Sequence, residues 1–424
     1  MFIQRLIAAM SIAVVSAAVS AGVQAEPAAA PPLTLAAKQV IELKARSVVG
    51  PSVQVDEQGL VHLVWMEEDK QEVRTVQYAR SADAAGTVGA PTRVNRATEA
   101  PYWRQEAPTL AVSGHDVYIT WALTHPKSTP DKPFSTELRL SRSTDFGRSF
   151  LPSVVVNDDD TVANHTFDAL HIAPDGTIHI SWIDPRDGKK DPGTYIARSV
   201  DHGQSVEKNR KIDENTCVCC RTALATAPDG TIYVAWRKIF EGNIRETVVA
   251  RSEDGGKTFS EPVIVGHDRW VYAGCPHRPA ALGVDRGGRL YVIWYSEGAD
   301  ETPAVYLAYS DDRGKTFVPK RMLNGSKGTF PDHPQLAVDS AGHVVAIWEE
   351  QSPARQEVVV SVSLDRGQTF SRPYKLNEKK SHSPAVSVNS TGLLALAWKE
   401  HAMTSHKLVV QTAQLPAVAA AVER

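Results

Sequence analysis

The residue types most able to do chemistry concentrate in two short segments, Cys217-Val218-Cys219-Cys220-Arg221 and Gly274-Cys275-Pro276-His277-Arg278, which together hold all four cysteines of the 424-residue chain. Thiolates and imidazoles favour copper(I) or zinc. Cys217, Cys219, Cys220, Cys275 and His277 therefore form a candidate metal set that His333 could complete. Their spacing matches no standard zinc module. In an oxidising compartment the same four thiols could instead form two disulfides, in any of three pairings. Cys217–Cys220 with Cys219–Cys275 is sterically the easiest pairing, because a bond between neighbouring Cys219 and Cys220 needs a strained peptide. A redox-active Cys217-x-x-Cys220 pair is a variant of this second reading, without a thioredoxin-like context.

Residues so far apart in sequence need a scaffold that gathers them, and an internal repeat supplies one. A strand rich in Leu or Val, a turn with Gly and an alternating strand ending in Trp recur as Pro51–Trp65, Pro108–Trp121, Asp168–Trp182, Thr222–Trp236, Ala280–Trp294, Pro334–Trp348 and Pro384–Trp398. Seven of the nine tryptophans occupy this one position, at steps of 56, 61, 54, 58, 54 and 50 residues. Turns such as Asp175-Gly176 and Asp229-Gly230 are hairpin signals between period-2 strands. A third strand follows each Trp, then a turn Ser-x-Asp-x-Gly-x-x-Phe: Ser143 to Phe150, Ser252 to Phe259, Ser310 to Phe317 and Ser363 to Phe370. Ser199 to Val206 ends in Val, and Ser81-Ala82-Asp83 begins a decayed copy. Four antiparallel strands at a period near 50 residues make one propeller blade. The fold expected is all-β, a seven-bladed β-propeller over 33–415, with six blades as the alternative. The seventh repeat lacks its fourth strand, which Leu33–Lys44 can supply.

In a propeller the loops into each inner strand share one face with the loops after each second strand, and function usually sits there. On this face lie Arg104, Arg221, Arg237, Arg278, His333 and His382, which we expect to bind ligand, together with all four cysteines and His277. His62, His115, His171, His179 and His343 fall within or beside strands and read as structural.

The Ser-x-Asp-x-Gly-x-x-Phe turns are similar to Asp boxes, the BNR repeats that mark the sialidase-like propellers. The Cys217-Val218-Cys219-Cys220 segment with Gly274-Cys275-Pro276 further resembles an exported bacterial "sialidase-like" subfamily. The resemblance covers nearly the whole chain after residue 25 and speaks to fold. A sialidase site, as the family has it, needs three arginines on the substrate carboxylate, a Tyr nucleophile paired with Glu, and an Asp acid/base. Guanidinium forks match a carboxylate, and a Tyr attacks only if a carboxylate takes its proton. The resemblance would draw the clamp from Arg104, Arg221, Arg237 and Arg278, pair Tyr295 with Glu297, and make Asp184 the acid. The family's Arg-Ile-Pro motif near the first blade is missing, and seven repeats depart from the six-bladed sialidases.

Composition agrees with an ordinary globular protein: 42% hydrophobic, 22% charged, net charge −3. Charge so near neutral argues against nucleic acid as the main partner. Residues 1–25 read as a secretory signal peptide cut after Ala25, with Arg5 as its positive region and Leu6 to Gly22 as its apolar run. Residues 26–32 read as a mobile linker and 416–424 as a disordered tail. The mature chain would be a periplasmic or secreted monomer without a membrane span. Two functions remain open. One is a binding module whose Cys/His/Arg-lined face takes a metal, an anionic glycan or an envelope protein. The other is an exo-sialidase or related hydrolase of acidic sugars.

Overall fold

The computed structural model describes residues 33–83, 87–102, 107–188, 190–324, 329–401 and 405–416. The expected signal peptide, the linker, the tail beyond Pro416 and Arg104 lie outside these residues. Each repeat forms one antiparallel sheet, and the seven sheets follow one another in chain order as seven blades. Blade 1 runs Ser47–Val55, Val61–Glu68, Arg74–Arg80 and Thr92–Arg93 from the inner strand outward. Blade 7 has only Ser381–Val388, Leu393–His401 and His406–Gln414 from its own repeat. Gln39–Leu43 and Thr34–Leu35 complete it from the other end of the chain, in register from Gln39 opposite Val410 to Leu43 opposite His406. Blades 7 and 1 are also joined by the Lys399 ammonium, which donates to the Val48 carbonyl at 2.8 Å.

The repeat tryptophans explain why the sheets stack in a ring. All seven are fully buried, each against the blade before it. Trp121 packs with Val64, Met66 and Tyr78 of blade 1, and Trp182 with Tyr118, Leu138 and Leu140 of blade 2. Trp65 closes the circle on Leu408 and Val410 of blade 7. Burying ~200 Å² of indole at ~25 cal/mol/Å² contributes about 5 kcal/mol of gross hydrophobic stabilisation per wedge.

The Asp boxes staple the opposite end. In blade 2 the Ser143 hydroxyl donates to Asp145 at 2.7 Å and accepts the Gly147 amide at 2.9 Å, while the Ser149 amide and hydroxyl donate to the Asp145 carboxylate at 3.0 and 2.6 Å. The hydroxyls of Ser149 and Ser143 hold the Asp145 pKa down at about 2. Gly147 adopts φ +74 and lies so close to Tyr78 of blade 1 that a Cβ would overlap the ring. Gly203, Gly314 and Gly367 also lie against Tyr118, Tyr233 and Tyr291 of their preceding blades, at looser distances of 3.1, 3.6 and 3.1 Å from a Cβ position.

The seven inner strands line a central channel of about 450 Å³, with Gly50, Ala107, Arg221, Pro279, His333 and Ser383 among its lining residues. Inner strands 1, 3, 6 and 7 carry bulges near their starts. Gly50, Phe167, His333 and Ser383 stand in these bulges with positive φ. Such bulges re-aim side chains, here at the mouth of the channel.

Two variants test the closure and the staple. Leu43→Ala, at a buried position of the borrowed strand, should cost about 2–5 kcal/mol in denaturant unfolding, whereas Val40→Ala, half exposed on the same strand, should stay within about 0.5 kcal/mol. Gly147→Ala should cost more than about 2 kcal/mol through overpacking against Tyr78, measured by the same unfolding curves.

Candidate functional site

The second strand of blade 4, Ile232–Phe240, runs past its inner neighbour Ala223–Thr226. The loop arriving from blade 3 pairs with this overhang: the Cys217 amide donates to the Arg237 carbonyl at 2.8 Å and the Ile239 amide to the Asn215 carbonyl at 2.7 Å. The chain then turns through Val218-Cys219, leaving the Cys217 sulfur 3.5 Å from that of Cys220 and 3.9 Å from that of Cys219. All three sulfurs are buried among Phe167, Ile183 and Ile239. The loop leaving blade 4 folds back as well, because Trp270–Val271 pairs with Ile244 and Arg245. It delivers exposed Cys275 and His277 to the same place, with the His277 ring 5.9 Å from that of Phe167. The ligand atoms of Cys219, Cys275 and His277 lie within 4.8 Å of one another, as do those of Cys217, Cys219 and Cys220. None of the four cysteines is joined to another in a disulfide in this structure.

Two buried guanidiniums face this cluster. Arg237, 3% exposed, spends one nitrogen on the carbonyls of Tyr295 (2.7 Å) and Arg278 (3.2 Å) and lies 5.0 Å over the Trp270 ring. Its Nε and Nη1 find no hydrogen-bond partner among the described residues. Arg245 donates to the Tyr272 and Gly274 carbonyls at 3.0 and 3.3 Å. Among the described residues neither forms an ion pair with a carboxylate. The Cys219 and Cys220 S–H groups, followed by these two positive charges, pull the Cys217 pKa down. Cys219 is pushed up as a donor to Cys217, and Cys220 by burial. The arrangement offers a thiolate with further sulfur and imidazole donors in a cationic setting. Sequence reasoning missed Trp270 and Arg245. Trp270 carried a signal, since it is one of only two tryptophans outside the repeat position.

Of the arginines expected as a clamp, Arg104 lies outside the described residues. Arg237 is committed to backbone carbonyls, and Arg221 turns to blade 2, donating to the Ala107 carbonyl at 2.6 Å. Arg278 keeps a partly open position, held by Asp332 at 3.1 Å and lying 4.2 Å over the Tyr295 ring. Tyr295 does donate to Glu297 at 2.7 Å. Yet it is 1% exposed, and burial followed by the Glu297 carboxylate drives its pKa up, the wrong direction for a nucleophile. Asp184, expected as the acid, is wholly buried two blades away, where it accepts the Trp182 indole N–H at 2.7 Å and the Arg186 guanidinium at 2.7 Å. The residue two after the repeat Trp serves the same structural purpose in Glu67 and Glu350. His333 faces Asp332 and Glu349, each at 3.4 Å. His382 meets His401 at 4.7 Å between ring centres with the rings tilted by 48°, and burial, then Lys399, lowers its pKa to about 3, so it stays neutral.

Residues 223–415 match the BNR repeat-like domain family. That segment, a little under half of the chain, is similar to the BNR repeat-like family. Similar solved structures include a protein of unknown function from Dyadobacter fermentans DSM 18053 (TM-score 0.54, 15% identity, covering 91% of this chain and 100% of that one). Others are the polysaccharide lyase Uly1 (0.56, 12%, 87% and 90%) and the Hadza microbial sialidase Hz136 (0.52, 16%, 88% and 66%). No curated protein matches the sequence.

The propeller carries a second polar cluster between blades 2 and 3. His165, fully buried, donates from Nδ1 to the Thr136 carbonyl at 2.8 Å and turns Nε2 to Asp159 at 3.1 Å and Asp184 at 3.6 Å. Arg186 bridges Asp158 at 2.6 Å and Asp159 at 3.3 Å. With its acids already paired to Arg186, the cluster reads as an ion-pair lock. Burial opposes charge on both partners, but the Asp159–His165 contact outweighs it, raising the His165 pKa and lowering that of Asp159. A raised His stabilises below its unfolded pKa of ~6.5 and loses that contribution as pH rises through its folded value; a lowered Asp stabilises above ~3.9 and loses it as pH falls. The difference in unfolding free energy between wild type and His165→Gln should therefore peak near about pH 5, at about 2 kcal/mol, and shrink on either side in a pH series of unfolding curves.

Proposed function

We propose that this chain is an exported binding protein whose Cys/His rim holds a soft metal, copper(I) or zinc. One observation carries the reading: the Cys219 sulfur belongs at once to a Cys217/Cys220 group and a Cys275/His277 group. A metal–sulfur bond of ~2.3 Å sets sulfurs about 3.8 Å apart in a tetrahedron and about 4.0 Å in a trigonal plane. The 3.5 and 3.9 Å separations seen here are close to both. The buried positive charge of Arg237, whose Nε and Nη1 have no hydrogen-bond partner among the described residues, favours anionic thiolates nearby. A second reading, an acidic saccharide at the channel mouth, rests on partly open Arg278 with Asp332 and Glu297, on a fold shared with a lyase and a sialidase.

Protein isolated under anaerobic conditions should contain copper or zinc by elemental analysis and should yield its thiols to titration only after the metal is chelated. Absence of both metals together with no titratable thiol would mean disulfides instead. Wild type should not cleave a fluorogenic sialoside, and Arg278→Ala should leave metal content unchanged. Cleavage abolished by that substitution would shift the function to a glycosidase.

A further inference from the structure

We infer that the rim holds two copper(I) ions joined through the Cys219 thiolate, an inner one on Cys217, Cys219 and Cys220 and an outer one on Cys219, Cys275 and His277. This rests on the metal-binding reading above and gives it a metal, a stoichiometry and an order. At this rim the ligand atoms of the described residues form two groups of three that share one sulfur, and no group of four. A single tetrahedral ion, with all its sulfurs about 3.8 Å apart, would leave part of this set unused. A deprotonated sulfur has lone pairs for two metals, and Cys219 is the only member common to both groups.

Coordination and charge both select copper(I). Zinc sites close at four ligands, whereas the soft monovalent ion suits thiolate-rich sets of low coordination number. Two copper(I) ions on four thiolates leave two negative charges, and Arg237 and Arg245 are two buried cations that form no ion pair with a carboxylate among the described residues. Two zinc ions would instead leave two positive charges in the same pocket, and uncompensated buried charge is costly. Copper enters and stays as copper(I), so no electron moves. Each thiol that ligates gives its proton to solvent.

The two positions differ in access. Cys217, Cys219 and Cys220 are buried, while Cys275 and His277 are exposed. The outer ion is therefore the exchangeable one, and the inner ion is released only after it.

The test is an anaerobic titration of the reduced full chain with copper(I), in competition with a chromophoric copper(I) chelator. Two ions per chain are expected, with a copper–copper scattering path in X-ray absorption. Cys275→Ser and His277→Ala should each lose one of the two ions and that scattering path; both positions are exposed, and circular dichroism verifies the fold. One ion in wild type, no copper–copper path, or two ions retained in both variants would overturn the bridged pair while leaving a metal site standing. No copper bound to wild type would overturn the metal-binding reading itself.

Discussion

The wedge of one buried tryptophan between each blade and the one before it is the constraint on which the rest depends. Seven such wedges fix the spacing and rotation between sheets, and the seventh step returns to the first only because Trp65 packs on blade 7. That last interface is built on a blade whose outer strand, Gln39–Leu43, comes from the other end of the chain. Ring closure is thus both hydrophobic and topological. The Asp boxes add a second restraint at the opposite end, where turn glycines lie against aromatic rings of the preceding blade.

A rigid ring leaves its loops free to differ, and blade 4 uses that freedom. Its second strand overhangs the inner strand and collects the arriving cysteine loop by backbone pairing. Its third strand collects the departing loop through Trp270–Val271. The sulfurs meet because two separate loops zip onto one sheet. The guanidiniums of Arg237 and Arg245 come from those same two strands, so the cationic environment is built by the elements that gather the thiols.

The fold is shared with a polysaccharide lyase and a sialidase, but fold alone does not carry a reaction. The residues that a sialidase reading would recruit have other duties here. Arg237 braces carbonyls, Asp184 anchors an indole and an arginine, and Tyr295 is sealed under Arg278. Acidic residues two places after the repeat Trp look catalytic by type, yet three of them hold indole N–H groups.

Sequence by itself determined the all-β class, the seven blades, the borrowed strand and the face on which the cysteines lie. These follow from periodicity and from a rare side chain placed at one repeat position, both properties of local order along the chain. The arrival of Cys217 and Cys275 on neighbouring loops followed from blade order alone. Tertiary structure decided what local order cannot encode: which carboxylates are open and which are locked, where each guanidinium points, and that Cys219 is the sulfur common to both ligand groups. Those outcomes depend on burial and on side-chain direction across blade boundaries, and on the irregular pairing of Trp270–Val271. None of these leaves a periodic trace in the sequence.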